Sequence, residues 1–468
     1  MVSFKARRSE PQLVSPERPT PCETKPLSDI DDQHLLRYYE TVVGFFRNCP
    51  GRTDDRPADL KGTFKAALAE ALVYYYPVAG RLREEAGGKL VVDCTAEGVV
   101  FVDADADVRL QDFGEPLLPP YPCLDQLLCD PGDVKAVTGR PLLFMQVTEL
   151  KCGGFVVGFH MCHNIADGFG MIQLMTSVTE LMVKASPSLL PVWKRELLTT
   201  AQNTTPIPYP NPAYKPLLNS LDSTSDDVML SIPPNRMVAQ YFVFGQREVA
   251  ALRSHIPGHL ADSTTSFELL TAVMWRCRTI ALGYEPSQRV RLMVTMNARG
   301  RWNRHTLIPW GYYGNAHVSP IVELTVDELC RKTLADTVEL VRETKLSVTK
   351  ECLASMVDTT AYIRQRPSLT MDRTYEVSDT RWIAAVKGLQ LGWAEYVGGG
   401  IPLAGDLTSK LGSHHMRCQN EDGEDSTVVS LLLPRPAMER FKKEMAVWLN
   451  KNDKNLQIYP VPSSSYML

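Results

Sequence analysis

Histidine is the side chain best suited to moving a proton near neutral pH, and this chain of 468 residues carries nine of them. One stands four positions before an aspartate, in His163-Asn164-Ile165-Ala166-Asp167, with Gly168 next. An imidazole there could serve as a general base, taking a proton from a hydroxyl or an amine as it attacks a carbonyl carbon. Aspartate fills about one position in twenty, so nine histidines produce this spacing by chance about one time in three. A core histidine beside a helix-capping aspartate explains the pair equally well on these residues alone.

Other chemistries find less support. Cys162 adjoins His163, but neighbours on a strand point to opposite faces and do not readily share a proton. A metal needs more than one His and one Asp. His414 and His415 are adjacent and diverge on any regular element, so no metal site is expected. Neither GxGxxG nor GxxxxGK[ST] occurs to cradle a phosphate, nor GxSxG to present a serine nucleophile; Gly398-Gly399-Gly400 reads as a flexible turn.

The elements around His163 give it a setting. Leu142–Leu150 and Phe155–His163 read as two apolar strands joined by a Lys151-Cys152-Gly153-Gly154 hairpin. A polar break follows, then a helix over Phe169–Val183. This places His163 at a strand end and Asp167-Gly168 in the turn that opens a helix, where side chains can face a crevice. Upstream, residues 59–81 show Phe64, Ala67, Leu68, Ala71 and Leu72 at helical spacing until Tyr74-Tyr75-Tyr76-Pro77, and strands are expected at Lys89–Asp93 and Gly98–Val102.

Between residues 199 and 228 the chain turns rich in Pro, Asn, Ser, Thr and Asp, which predicts a crossover between two halves, 1–198 and 229–468. The second half offers strands at Val238–Phe244, Val290–Thr295 and Val428–Leu433. It also offers a helix over Ser266–Ala281 with a Thr265-x-x-Glu268 capping box, and a helix over Met438–Leu449 with Phe441, Met445 and Trp448 on one side.

Composition narrows the partners. The apolar fraction of 44% and charged fraction of 22% are those of a folded globular protein. Fifty basic against 54 acidic residues give a net charge of −4, with no basic block for nucleic acid. No run of about 18 uncharged apolar residues suggests a membrane span, and the polar start at Met1–Pro11 is unlike a signal peptide. Eleven scattered cysteines without CxxC pairs read as reduced thiols. A cytoplasmic location is expected, since Tyr466-Met467-Leu468 is not a Ser-Lys-Leu type of peroxisomal address, and the chain is expected to be a monomer.

His163-x-x-x-Asp167-Gly168 together with Gly392-Trp393 resembles the plant acyltransferases of the BAHD family. The likeness spans nearly the whole chain through Lys25–Asp32, Ala71–Arg81, Ser266–Arg276, Asn297–Arg299 and Gly311–Ala316, and is greatest for the benzyl alcohol benzoyltransferase group, which includes ester-forming and amide-forming enzymes. It implies an α/β fold of two chloramphenicol-acetyltransferase-like domains, each a mixed sheet flanked by helices, with an active-site tunnel at their interface. Acyl-CoA would be a cosubstrate entering one mouth, with no permanently bound cofactor, and a small alcohol or amine would enter the other.

By the same resemblance His163 stands in the tunnel as the base, while Asp167 points away and holds the turn through a salt bridge. Trp393 and the Ser378-Asp379-Thr380 strand would lie near the oxyanion, and Ser266, Arg276, Ser378 and Gly392 would touch coenzyme A. The family's Asp-Phe-Gly-Trp-Gly motif is replaced here by Gln390-Leu391-Gly392-Trp393-Ala394. The lost aspartate is chiefly structural and pairs with an arginine, for which Arg299 is the candidate, so Gln390 is expected opposite Arg299. The leading expectation is transfer of an aromatic or medium-chain acyl group to an alcohol. Amide formation on an amine such as piperidine comes second, and a non-catalytic binding member of the family third.

Overall fold

The computed structural model describes residues 3–49, 51, 56–115, 117–200, 227–300, 308–364, 371–386, 389, 391–402, 410–449 and 457–460. Most of the expected crossover, together with Gln390 and Tyr466–Leu468, lies outside them.

A first sheet has the order Arg7–Arg8, Val99–Ala106, Leu143–Leu150, Phe155–Cys162, Tyr39–Asn48, Ala394–Gly400, with Gln12–Val14 also paired to Val99–Ala106. The predicted hairpin sits at its centre, antiparallel from Leu143 opposite Met161 to Glu149 opposite Phe155. Every residue of Phe155–Cys162 is buried. It carries no alternation of apolar and polar because both its faces are covered.

The helices Leu60–Tyr74 and Gly168–Met182 pack on one another beside this sheet. The first is capped by Asp59, which accepts from the amide of Gly62 at 2.8 Å, and buries Phe64, Ala67, Leu68, Ala71 and Leu72 as their spacing predicts. A small sheet of Thr24–Pro26, Leu90–Asp93 and Arg81–Glu84 lies alongside.

The second sheet runs His317–Val318, Arg289–Asn297, Thr374–Asp379, Gly412–Gln419, Asp425–Pro434, Met237–Phe244, Gln457–Pro460, with Ile321–Thr325 also paired to Arg289–Asn297. It is mixed: Arg289–Asn297, Thr374–Asp379 and Gly412–Gln419 are parallel neighbours, and Asp425–Pro434 is antiparallel to both of its partners. Helices Ser266–Leu282 and Arg435–Trp448 pack together over its core. The capping box is formed, Glu268 N to Thr265 Oγ1 at 3.2 Å and Thr265 N to Glu268 Oε2 at 3.0 Å. Phe441 and Met445 are fully buried, and Trp448 half covers the same cluster.

One strand departs from the halves drawn by sequence. Ala394–Gly400 leaves the second half and closes the edge of the first sheet, antiparallel to Tyr39–Asn48, with a bulge between Tyr396 and Gly398. Gly398-Gly399-Gly400 is therefore strand and not a free turn. Gly399 has φ +138°, and a Cβ there would overlap the carbonyl of Val43, so only glycine lets the two backbones approach this closely.

Candidate active site

Between the two sheets lies a cavity of about 810 Å³, reached by Phe159, His163 and Ile172 from the first sheet and its helix, and by Thr295, His317 and Ser378 from the second. His163 is the first residue beyond the Phe155–Cys162 strand. Its amide donates to the carbonyl of Tyr38 at 2.9 Å and its carbonyl accepts from Asn315 Nδ2 at 2.7 Å. Asn315 is in turn fixed by Asp31 through its amide at 2.7 Å and its Nδ2 at 2.9 Å. Asp31 is fully buried and paired with Arg195 at 2.9 Å. The histidine backbone is thus clamped by both halves of the chain.

The imidazole itself is left available. Among the described residues its Nδ1 makes no hydrogen bond of ordinary geometry, and its ring lies 5.2 Å from that of Tyr38. Burial lowers its pKa from the ordinary value, against an opposing pull from the Asp167 charge, so the neutral, proton-accepting form is favoured near pH 7.

Asp167 is occupied elsewhere. Its Oδ1 accepts from the amide of Gly170 at 3.0 Å, capping the Gly168–Met182 helix, and its Oδ2 accepts from the amide of Ala316 at 3.0 Å. Arg299 grips both oxygens, each at 2.9 Å. Burial alone would raise this carboxyl, but Arg299 and the two amides outweigh it and hold the pKa below its usual value. No hydrogen bond joins imidazole and carboxylate among those of the described residues, and the pair is no relay.

The partner the structure shows for Arg299 is Asp167. A guanidinium has five N–H donors, and all are committed: Nε to Tyr312 O, Nη1 to Asp167 and Asn297, Nη2 to Asp167 and Gly314 O. Its side chain is fully buried; Gln390, expected opposite it, lies outside the described residues.

The other expected site residues divide. Ser378 lines the cavity. Thr380 lines it too, but donates its hydroxyl to His415 O at 3.0 Å. Ser266 stands at the start of its helix and accepts from Arg381 Nη1 at 2.7 Å, while Arg381 also forks onto Asp379 at 2.7 and 2.8 Å.

Arg276 turns the other way. It is buried on the carbonyls of Leu329 and Cys330 and the Thr337 hydroxyl, tying helices together away from the cavity. Trp393 is 3% exposed in the first core, with its ring 5.8 Å from Phe155 and Arg56 6.0 Å above it. Gly392 makes the preceding turn at φ +75°. Neither lines the cavity.

Several cavity residues escaped the reading of the sequence. His317 opposes Asn297 at the sheet edge, and burial, reinforced by the Arg299 charge, lowers its pKa to about 4 despite the pull of Asp167. Phe169, Trp310 and Trp382 form an aromatic group, with rings 5.8 and 5.5 Å from Phe169. Glu376 faces the cavity from Thr374–Asp379. For His317 and Glu376 the only local signal is a polar residue within a strand, which any half-solvated strand shows, and Phe169, Trp310 and Trp382, on a helix, a turn and a 3-10 helix, carry no local signal that joins them. Among the described residues no three His, Cys, Asp or Glu side chains are grouped to hold a metal, and no helix is long and apolar enough to cross a membrane.

Comparison with known proteins agrees with this geometry. The model of the Transferase family matches residues 4–447. Acyl transferase 1 of Oryza sativa subsp. japonica is 62% identical over 97% of this chain and 98% of its own. Spermidine hydroxycinnamoyltransferase 1 of the same plant is 48% identical over 89% and 93%. Benzyl alcohol O-benzoyltransferase of Petunia hybrida is 44% identical over 97% and 95%. The crystal structure of vinorine synthase superposes with a TM-score of 0.71 at 18% identity, over 95% of this chain and 98% of that one, which shows the shared two-domain fold. With the family model matched over residues 4–447, the chain belongs to the BAHD acyltransferases of the Transferase family, enzymes that use an acyl-CoA as cosubstrate to acylate oxygen or nitrogen.

Proposed function

We propose that His163 is the general base of a direct acyl transfer, from a coenzyme A thioester to a small acceptor held in the 810 Å³ cavity. The observation that carries this is the neutral, cavity-facing imidazole whose neighbouring carboxylate is fully engaged by Arg299. The acceptor hydroxyl gives its proton to His163 as its oxygen bonds to the thioester carbon. The tetrahedral oxyanion then collapses, the carbon–sulfur bond breaks, and the leaving thiolate takes up the proton. A thiolate leaves readily, so positioning and oxyanion support are the main demands. Ser378 lines the cavity with no side-chain hydrogen bond to another described residue, and its hydroxyl is the donor that supports the oxyanion.

An ester of a small alcohol is the first reading, in keeping with the benzyl alcohol benzoyltransferase named above. The faces of Phe159, Phe169, Trp310 and Trp382 in the cavity lining suit an aromatic or medium-chain acyl group. An amide is the second reading, favoured by the spermidine acyltransferase relative and by the cavity carboxylate of Glu376. A matrix of acyl-CoA donors against alcohols and amines, read by product mass, separates the two. His163→Ala is expected to retain its fold and lower turnover by roughly two to four orders of magnitude; turnover within a few-fold of wild type would remove the imidazole from the mechanism.

A further inference from the structure

The charged groups of the cavity wall are mostly matched. Arg299 is paired with Asp167, Arg381 with Asp379 and Lys345 with Glu268, while Glu40 receives the Tyr38 hydroxyl at 3.0 Å and the Thr41 amide at 3.1 Å. Glu376 differs. It accepts a hydrogen bond from Thr295 Oγ1 at 2.7 Å, and no Lys, Arg or His among the described residues pairs with it. Thr295 is steadied by Ser319, its Oγ1 3.4 Å from Ser319 Oγ, so one carboxylate oxygen is fixed and the other is left to the cavity that the residue lines.

We propose that Glu376 recognises an ammonium group on the acceptor, so that the enzyme selects acceptors carrying a protonated aliphatic amine several bonds away from the attacking oxygen or nitrogen. The inference deepens the acyl-transfer reading and rests on it. A carboxylate left without a cation in a confined, largely apolar site is costly unless its ligand supplies the charge.

The spacing fits such a ligand. Glu376 and Ser378 are two residues apart on one strand, opposite Met293 and Thr295 of its parallel neighbour. They share a face and stand about 7 Å apart, the reach of a chain of about four to six bonds. With the thioester carbonyl at Ser378, the far end of such a chain meets Glu376. The distal ammonium keeps its proton throughout. The attacking group passes its proton to His163 as the carbon–nitrogen or carbon–oxygen bond forms, and the carbon–sulfur bond then breaks.

The test uses the full-length enzyme with benzoyl-CoA and two matched acceptor pairs, 1,4-diaminobutane against pentylamine and 5-amino-1-pentanol against 1-hexanol. Wild type is expected to prefer the ammonium-bearing member of each pair by tenfold or more in kcat/KM. Glu376→Gln, which keeps the shape and removes the charge, should bring that ratio to near one, chiefly through KM, while Thr295→Val should lower it in part. A wild type that is indifferent or prefers the neutral partner overturns the proposal, as does a Gln variant that keeps the preference. Should the Gln variant fold poorly by thermal unfolding, the wild-type ratio and its fall in Thr295→Val decide. Transfer to the neutral alcohol without preference sinks the role of Glu376 alone, whereas no coenzyme A release with any acceptor sinks the acyl-transfer reading with it.

Discussion

At the scale of the residue, His163 is held between two opposed influences. Burial favours the neutral imidazole and the Asp167 charge favours the imidazolium; burial prevails because Arg299 already neutralises that carboxylate. The acid limb of kcat/KM is therefore expected to have its midpoint below the ordinary histidine value of about 6.5. A limb centred above 7 in a pH-rate profile would mean that the carboxylate governs the base. Asp167→Asn should lose activity and stability together, because it leaves the Arg299 guanidinium buried without its counter-charge, a defect of roughly 3–5 kcal/mol. Urea unfolding measures it, and a variant as stable as wild type but inactive would revive a direct relay. The importance of His163 and Asp167 could be suspected from their spacing. The partner of Arg299 could not, because it is 132 positions from Asp167 in sequence and only the fold brings them together.

At the scale of the element, local rules served well wherever the chain supplies its own cap or period. The Thr265 and Glu268 exchange forms as written in the sequence, and Thr265→Ala should cost about 1 kcal/mol in chemical denaturation. The Gly398-Gly399-Gly400 run shows the limit of such rules, since glycine marks either freedom or close approach and nothing nearby says which. In the structure it pairs with Tyr39–Asn48, and this strand brings Tyr396 and Gly400 to the cavity wall. Gly399→Ala must fit a Cβ against the Val43 carbonyl at φ +138°. It is expected to destabilise the fold by about 1–3 kcal/mol and to raise KM by reshaping that wall. An unchanged melting temperature would show that the edge pairing is slack.

At the scale of the whole molecule, several histidines are buried neutral, which sets how the fold responds to acid. Burial lowers the pKa of His160 and His317 to about 4 and of His415 to about 3. Each takes up its proton in the unfolded chain near 6.5 and in the folded chain only at much lower pH. Stability is therefore retained above about 6.5 and falls as pH drops from there toward 4, by up to about 3 kcal/mol for a single group. Melting temperatures across pH 4 to 8 should show this fall, and a curve level from 7 down to 5 would contradict it. The sequence by itself determined the strand, turn and helix around His163, the caps and the amphipathic faces, since these depend on residues within a few positions of one another. It also carried the family resemblance, which rests on short runs such as Lys25–Asp32 and Gly311–Ala316. Tertiary structure alone decided that Arg299 spends all its donors around Asp167, that Trp393 lies in a core, that a late strand completes the first sheet and that Glu376 faces the cavity. Each of these turns on groups far apart in the chain, where burial and the exhaustion of hydrogen-bond donors, and not local preference, fix the outcome.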